Sequence, residues 1–131
     1  MGIHLAWDDD AKTILCHTYE GNWTVDDLYN AIDQSARWLR ERDYPVDLII
    51  DMRTSASPPP GVLSVYHYAE KKAPPNQRLV VMVQVGVVMN AFNRVIKMIA
   101  PTISEQRFQV ETMEEARALI AEYRAGLVAS D

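Results

Sequence analysis

Two uninterrupted apolar runs, Leu48-Ile49-Ile50 and Leu79-Val80-Val81-Met82-Val83, set the strongest limit on how this chain folds. A strand whose side chains are apolar at every position is buried on both faces, which is the signature of a parallel sheet covered by helices. The first run lies within Val46 to Met52 and the second within Arg78 to Val85, so each reads as a central strand. With 131 residues and 14.9 kDa the chain fits one domain, residues 1–131, large enough to build a core without disulfides or metal.

The flanking segments supply the rest of an α/β pattern. Ile3 to Trp7 and Ile14 to Tyr19 are β-prone and enclose the polar turn Asp8-Asp9-Asp10-Ala11-Lys12, a hairpin arrangement. Thr24 offers a hydroxyl N-cap, and Asp26 and Asp27 suit the positive end of a helix. Val25, Leu28, Ala31, Ile32, Ala36 and Leu39 then recur at helical spacing until Asp43-Tyr44-Pro45. Arg53 to Pro60 is too proline-rich for helix or strand and predicts a stiff loop. A helix is expected from Gly61 to Lys72, another from Val88 to Ile99, and a short strand at Arg107 to Val110. Thr112 and Glu115 form a capping box for a last helix with Ala116, Leu119, Ile120 and Tyr123 on its apolar stripe. The predicted order is ββαβαβαβα, a single mixed sheet edged by the opening hairpin, with helices packed on it.

Charge and composition narrow the function classes. Thirteen Lys and Arg against eighteen Asp and Glu give a net charge of −5, which disfavours a general nucleic-acid binder. Residues 1–60 carry eleven acids and five bases, whereas residues 61–131 carry seven acids and eight bases. The longest apolar stretch, Leu79 to Val88, is about half a membrane span and is interrupted by Gln84 and Gly86. Met1-Gly2-Ile3-His4 has neither a basic nor an apolar leader region, and Cys16 is the single cysteine. A cytoplasmic protein without a membrane span is the expectation.

No phosphate-binding, dinucleotide, zinc or nucleophile-elbow motif occurs. His4 and His17 could be cross-strand neighbours close to Cys16, yet a metal site needs three or four converging ligands, so no metal is expected. His17 adjoins Cys16 on a strand, and adjacent strand residues point to opposite faces, which leaves the thiol without a base. Asp8 to Asp10 lacks calcium-loop spacing. Asp51 ends a buried strand at the edge where open α/β sheets place their ligand sites, with Asp47 at the other end of the same run. Thr54, Ser55 and Ser57 follow, and a phosphate there would place nearly two negative charges beside Asp51. Tyr66-His67-Tyr68 leaves at least one ring edge exposed on its helix. Met82, Met89 and Met98 are core fillers, Met89 also lying near a helix start where it could line an adaptable contact.

The element order, the strand Leu48-Ile49-Ile50-Asp51 and the segment Arg78 to Ala121 together resemble the STAS domain, the SpoIIAA-like fold of bacterial anti-sigma factor antagonists. The similarity is most visible from Leu79 to Val85, through Asn93 to Ile99, to Phe108-Gln109-Val110 and Thr112 to Ala116. The resemblance implies a non-enzymatic regulatory domain that docks on a protein partner, often a kinase-like anti-sigma factor, or self-associates. STAS switches resemble D-[ST]-x-G, with the hydroxyl as phosphoacceptor. Here Gly61 can match the glycine, but Pro58-Pro59-Pro60 precede it, and the nearest hydroxyls, Thr54 and Ser57, are the candidate phosphoacceptors.

The leading expectation is therefore an interaction surface made of Asp51, Arg53, Thr54, Ser55, Ser57, Gly61, Tyr66 and Met89, with no cofactor. The alternative is a small-molecule or lipid binder with an apolar pocket between helices and sheet, lined by Met82, Met89, Phe92 and Tyr66. An enzyme built on Asp51 with His67 or Arg53 ranks last. Self-association, motivated by the apolar content and the aromatic helix, is a separate expectation.

Overall fold

The structure, a computed structural model, describes residues 2–84, 86, 94 and 107–129, the side chains of Leu63, Tyr66 and 127–129 excepted. Strands β1 (Gly2–Trp7), β2 (Ile14–Gly21), β3 (Val46–Ser55), β4 (Gln77–Val83) and β5 (Arg107–Val110) form one sheet in the order β1-β2-β3-β4-β5. The first pair is antiparallel and the other three are parallel. Helices α1 (Val25–Arg40), α2 (Val62–Lys72) and α3 (Met113–Ala129) pack on it, which makes an α/β fold with a mixed sheet. Of the helix predicted from Val88 to Ile99 the described residues include Arg94, which is helical, whereas Met89, Phe92 and Met98 lie outside them.

The two apolar runs lie side by side, Leu48 opposite Val80, Ile49 opposite Val81 and Ile50 opposite Met82. Alternate residues feed two separate cores. Leu15, Leu48, Ile50, Val80 and Met82 meet Leu28 and Leu39 of α1 and Val62 and Val65 of α2. On the opposite face Ile49, Leu79, Val81 and Val83 meet Met113, Ala116 and Ile120 of α3. Each fully buried side chain of this size contributes about 1.5–3 kcal/mol of burial, so both-face burial concentrates stability in β3 and β4. The crossovers β2-α1-β3 and β3-α2-β4 place their helices on one face, as successive right-handed crossovers must.

The ends of these elements carry their own chemistry. Thr24 Oγ1 accepts from the Asp27 amide at 3.0 Å while the Asp27 carboxylate accepts from the Thr24 amide at 2.9 Å, a reciprocal cap on α1. At α3 the Thr112 hydroxyl accepts from the Glu115 amide at 3.1 Å, but the Glu115 carboxylate reaches the amide of Glu111 instead of that of Thr112. In the β1–β2 turn Asp9 accepts from the amides of Thr13 and Ile14 and from the Thr13 hydroxyl, so it organises the hairpin. Asn76, just before β4, donates its side-chain amide to the carbonyls of Leu39 (2.8 Å), Arg42 (3.4 Å) and Tyr44 (3.1 Å). Its own carbonyl accepts from the Val46 amide at 2.8 Å.

Two expectations are corrected. Arg53, Thr54 and Ser55 belong to β3 and not to the proline loop, because Thr54 and Ser55 pair with Glu20 and Gly21 after a register shift in which Met52 and Arg53 of β3 oppose Tyr19 alone. The pairing with β4 ends at Asp51 opposite Val83, so this extension is supported on one side and polar residues are tolerated in it. His4 and His17 are not neighbours: His4 is opposite Thr18 and exposed, whereas His17 is opposite Leu5 and buried on the α1–α2 face.

Candidate functional site

The strand ends bring two areas into view, a polar rim at the C-terminal end of β3 and a cavity beneath α1 and α2. Asp51 reaches the rim because it is the last β3 residue paired on both sides. Its carboxylate is buried and accepts a bidentate pair from Arg53, with Nε and Nη2 each at 2.9 Å, and the Arg53 amide at 3.1 Å. The Arg53 hydrogen bonds hold its pKa below the ordinary carboxylate value against the opposing effect of burial. The Arg53 side chain is 49% exposed, so the rim presents a guanidinium backed by a buried anion.

The rim hydroxyls separate cleanly. Thr54 Oγ1 donates to the Tyr19 carbonyl at 3.2 Å. Ser55 Oγ donates to the Ala56 carbonyl at 2.7 Å and accepts from Trp23 Nε1 at 2.8 Å. Ser57 is exposed, and its hydroxyl engages none of the described residues. Gly61 caps α2 with φ of 87°, a left-handed conformation that a side chain would strain. Asp51, Arg53, Thr54, Ser55 and Ser57 thus follow one another along the rim and the segment leaving it. His67 is exposed, Tyr68 packs edge-on against Tyr29 at 4.8 Å, and the Tyr66 side chain and Met89 lie outside the described residues.

The second area is a cavity of about 120 Å³ between the sheet and the α1–α2 pair. Its walls include Leu28, Leu48, Ile50, Val65, Val80 and Met82. A polar pair sits among them, His17 Nε2 and Ser35 Oγ at 3.1 Å, both side chains buried. Burial pushes the His17 pKa down to about 4, so the imidazole is neutral near pH 7. Lys72, Gln77 and Arg107 also border the cavity. Of the residues named for an apolar pocket, Met82 is among those that line it. His17, Ser35 and Arg107 went unrecognised as cavity residues in the sequence. The alternation Leu15-His17-Tyr19 could have placed His17, but Ile14 and Cys16 give the opposite alternation equal apolar character.

Other groups have structural or quiet chemistry. Burial raises the Cys16 pKa, outweighing the Thr18 hydrogen bond, so the thiol stays protonated at neutral pH. Asp47 is fully buried and accepts from Arg78 Nε and Nη2 (both 2.9 Å), Arg124 Nε (3.0 Å) and the Leu79 amide (3.0 Å). Burial raises its pKa, but the Arg78, Leu79 and Arg124 hydrogen bonds prevail and hold it below the ordinary value. Among the described residues no three His, Cys, Asp or Glu side chains could hold a metal ion, and no helix is long and apolar enough to cross a membrane. No protein family, no curated protein and no solved structure matches the chain.

Proposed function

We propose that this chain is a non-enzymatic binding domain that takes a small, mainly apolar molecule between the sheet and the α1–α2 pair. The cavity carries the reading: apolar walls surrounding one neutral hydrogen-bonding pair are what a small-molecule site needs for affinity and for orientation. A volume of about 120 Å³ suits a body near the size of one benzene ring, since a dry apolar cavity of about 150 Å³ takes up benzene. Titration with benzene and hexanol, followed by amide and methyl NMR shifts, tests it. Saturable shifts centred on Ile32, Ser35, Val65 and Met82 are expected, and Ala36→Leu, which enlarges a wall residue, abolishes them. Absence of saturable binding in the unsubstituted protein refutes the cavity reading.

The rim supports a second reading, a STAS-like regulatory domain that docks on a protein partner such as a kinase-like anti-sigma factor. The ββαβαβ order through β4, followed by β5 and α3, fits the resemblance. In this reading Ser57 is the phosphoacceptor in preference to Thr54, because the Thr54 hydroxyl is already committed to Tyr19. Copurification with a tagged chain should then change on both Asp51→Asn and Ser57→Asp; an identical set of bound proteins for all three forms removes the rim from consideration.

A further inference from the structure

The buried polar groups of the cavity specify the head group of its ligand. Among the described residues the buried polar or charged side chains are His17, Ser35, Asp47 and Asp51. Both carboxylates are held by arginines and neither lines the cavity, whereas His17 and Ser35 do. His17 engages Ser35 through Nε2, and its other ring nitrogen, Nδ1, has no hydrogen-bond partner among the described residues. Nor is Nδ1 sealed in protein, since the buried side-chain nitrogen or oxygen left without a partner among the described residues is Arg42 Nε. With His17 only 5% exposed, Nδ1 opens onto the cavity that the ring lines. His17, Ile50 and Met82 form one row across β2, β3 and β4, Ile50 pairing with both neighbours. Adjacent strands stand about 4.8 Å apart, so a six-membered ring lying over Ile50 carries a substituent to the imidazole.

Building on the cavity reading above, we infer that the ligand is an uncharged, phenol-like alcohol, its ring over Ile50 and Met82 and its hydroxyl hydrogen-bonded to His17 Nδ1. Burial keeps the imidazole neutral near pH 7, so one ring nitrogen donates and the other accepts. If the Ser35 hydroxyl donates to Nε2, Nδ1 carries the proton and donates to the ligand. If Nε2 donates to Ser35, Nδ1 accepts instead. A hydroxyl both donates and accepts, so it completes either arrangement, whereas a carbonyl completes only the first. A hydrocarbon displaces water from Nδ1 and returns no hydrogen bond. A carboxylate or an ammonium brings a charge to a pair that has none.

The test is calorimetry on the intact chain near pH 7, comparing phenol with toluene, which has the same shape and no hydroxyl. Phenol is expected to bind at least as tightly as toluene, although toluene is the more apolar of the two. His17→Leu shifts the ratio of the two affinities toward toluene by about tenfold, as the loss of one net hydrogen bond requires. Benzoate binds the unsubstituted chain more weakly than phenol. In that same chain the Nδ1 nitrogen resonance of His17 moves on adding phenol and stays in place on adding toluene, a readout that needs no substitution. Near-UV circular dichroism reports the fold of His17→Leu. If toluene binds and phenol binds more weakly, if a folded His17→Leu keeps the original ratio, if benzoate binds more tightly than phenol, or if Nδ1 responds no more to phenol than to toluene, the hydroxyl assignment is overturned while the cavity stands. If neither phenol nor toluene binds, the cavity reading falls and this assignment with it.

Discussion

The two ends of β3 carry the same device in opposite circumstances. Asp47 and Asp51 lie four residues apart on one face of one strand, and each accepts a bidentate arginine. Asp47 draws its arginines from β4 and α3, across 31 and 77 residues of sequence. Asp51 is held by Arg53, two residues away and half in solvent. The first carboxylate fastens a helix to the sheet, because Arg124 of α3 also donates to the Thr13 carbonyl and hydroxyl at 3.1 and 3.2 Å. The second closes only on its own strand. With the same bidentate geometry at both ends, the two pairs differ in what they connect and in how much water they exclude.

The sharpest way to break this contrast is to remove each carboxylate in turn. Asp47→Ala should cost about 3–5 kcal/mol in urea unfolding, because two guanidinium groups and the Leu79 amide lose a buried partner. Asp51→Ala should cost a small fraction of that, since Arg53 turns into water; equal losses would erase the distinction.

Acid titration sharpens it further, provided the His17 contribution is separated. The folded His17 pKa lies below its unfolded value, so the unfolded chain binds the extra proton as pH falls from 6.5 to about 4. Stability is complete above that window and declines through it by about 3 kcal/mol. Asp47, also depressed, supports the fold above its unfolded value and loses that support at lower pH, as the folded carboxyl takes up its proton. His17→Leu should flatten the stability profile between pH 6.5 and 4 and leave the loss at lower pH intact. A variant whose profile still slopes in the upper window would assign that slope elsewhere. A smaller loss than that of Asp47→Ala belongs to Arg124→Lys, which keeps the charge but loses the fork that spans Asp47 and Thr13, for about 1–2 kcal/mol. No change there would mean that the Arg124 fork adds nothing to the hold that Met113, Ala116 and Ile120 already give α3 on the sheet.

Much of the fold was legible because a strand buried on both faces leaves a short unbroken run of branched apolar residues. Leu48-Ile49-Ile50 and Leu79 to Val83 read as neighbouring central strands, and they are. The spacing of Leu28, Ala31, Ala36 and Leu39 likewise gave the buried stripe of α1. Arg53 to Ser55 misled because polar side chains before three prolines resemble a loop, whereas their strand character comes from pairing with Glu20 and Gly21 across a bulge. The partners of Asp47 had no local signal, since a bond to Arg124 depends on where α3 crosses the sheet. The cavity was harder still. Both alternations of β2 contain apolar residues, so nothing in the order Ile14 to Tyr19 says that the imidazole of His17 turns inward to meet Ser35.

The amide of Asn76 has a consequence for how the molecule comes apart. It ties three carbonyls at the end of α1 and the approach to β3 to the turn that launches β4, so two successive crossovers share one latch. Fraying of either turn withdraws the donor or the acceptors on which the other relies. Hydrolysis of that amide to a carboxylate would aim negative charge at three oxygens at once, a chemical ageing step able to loosen both turns from a single position.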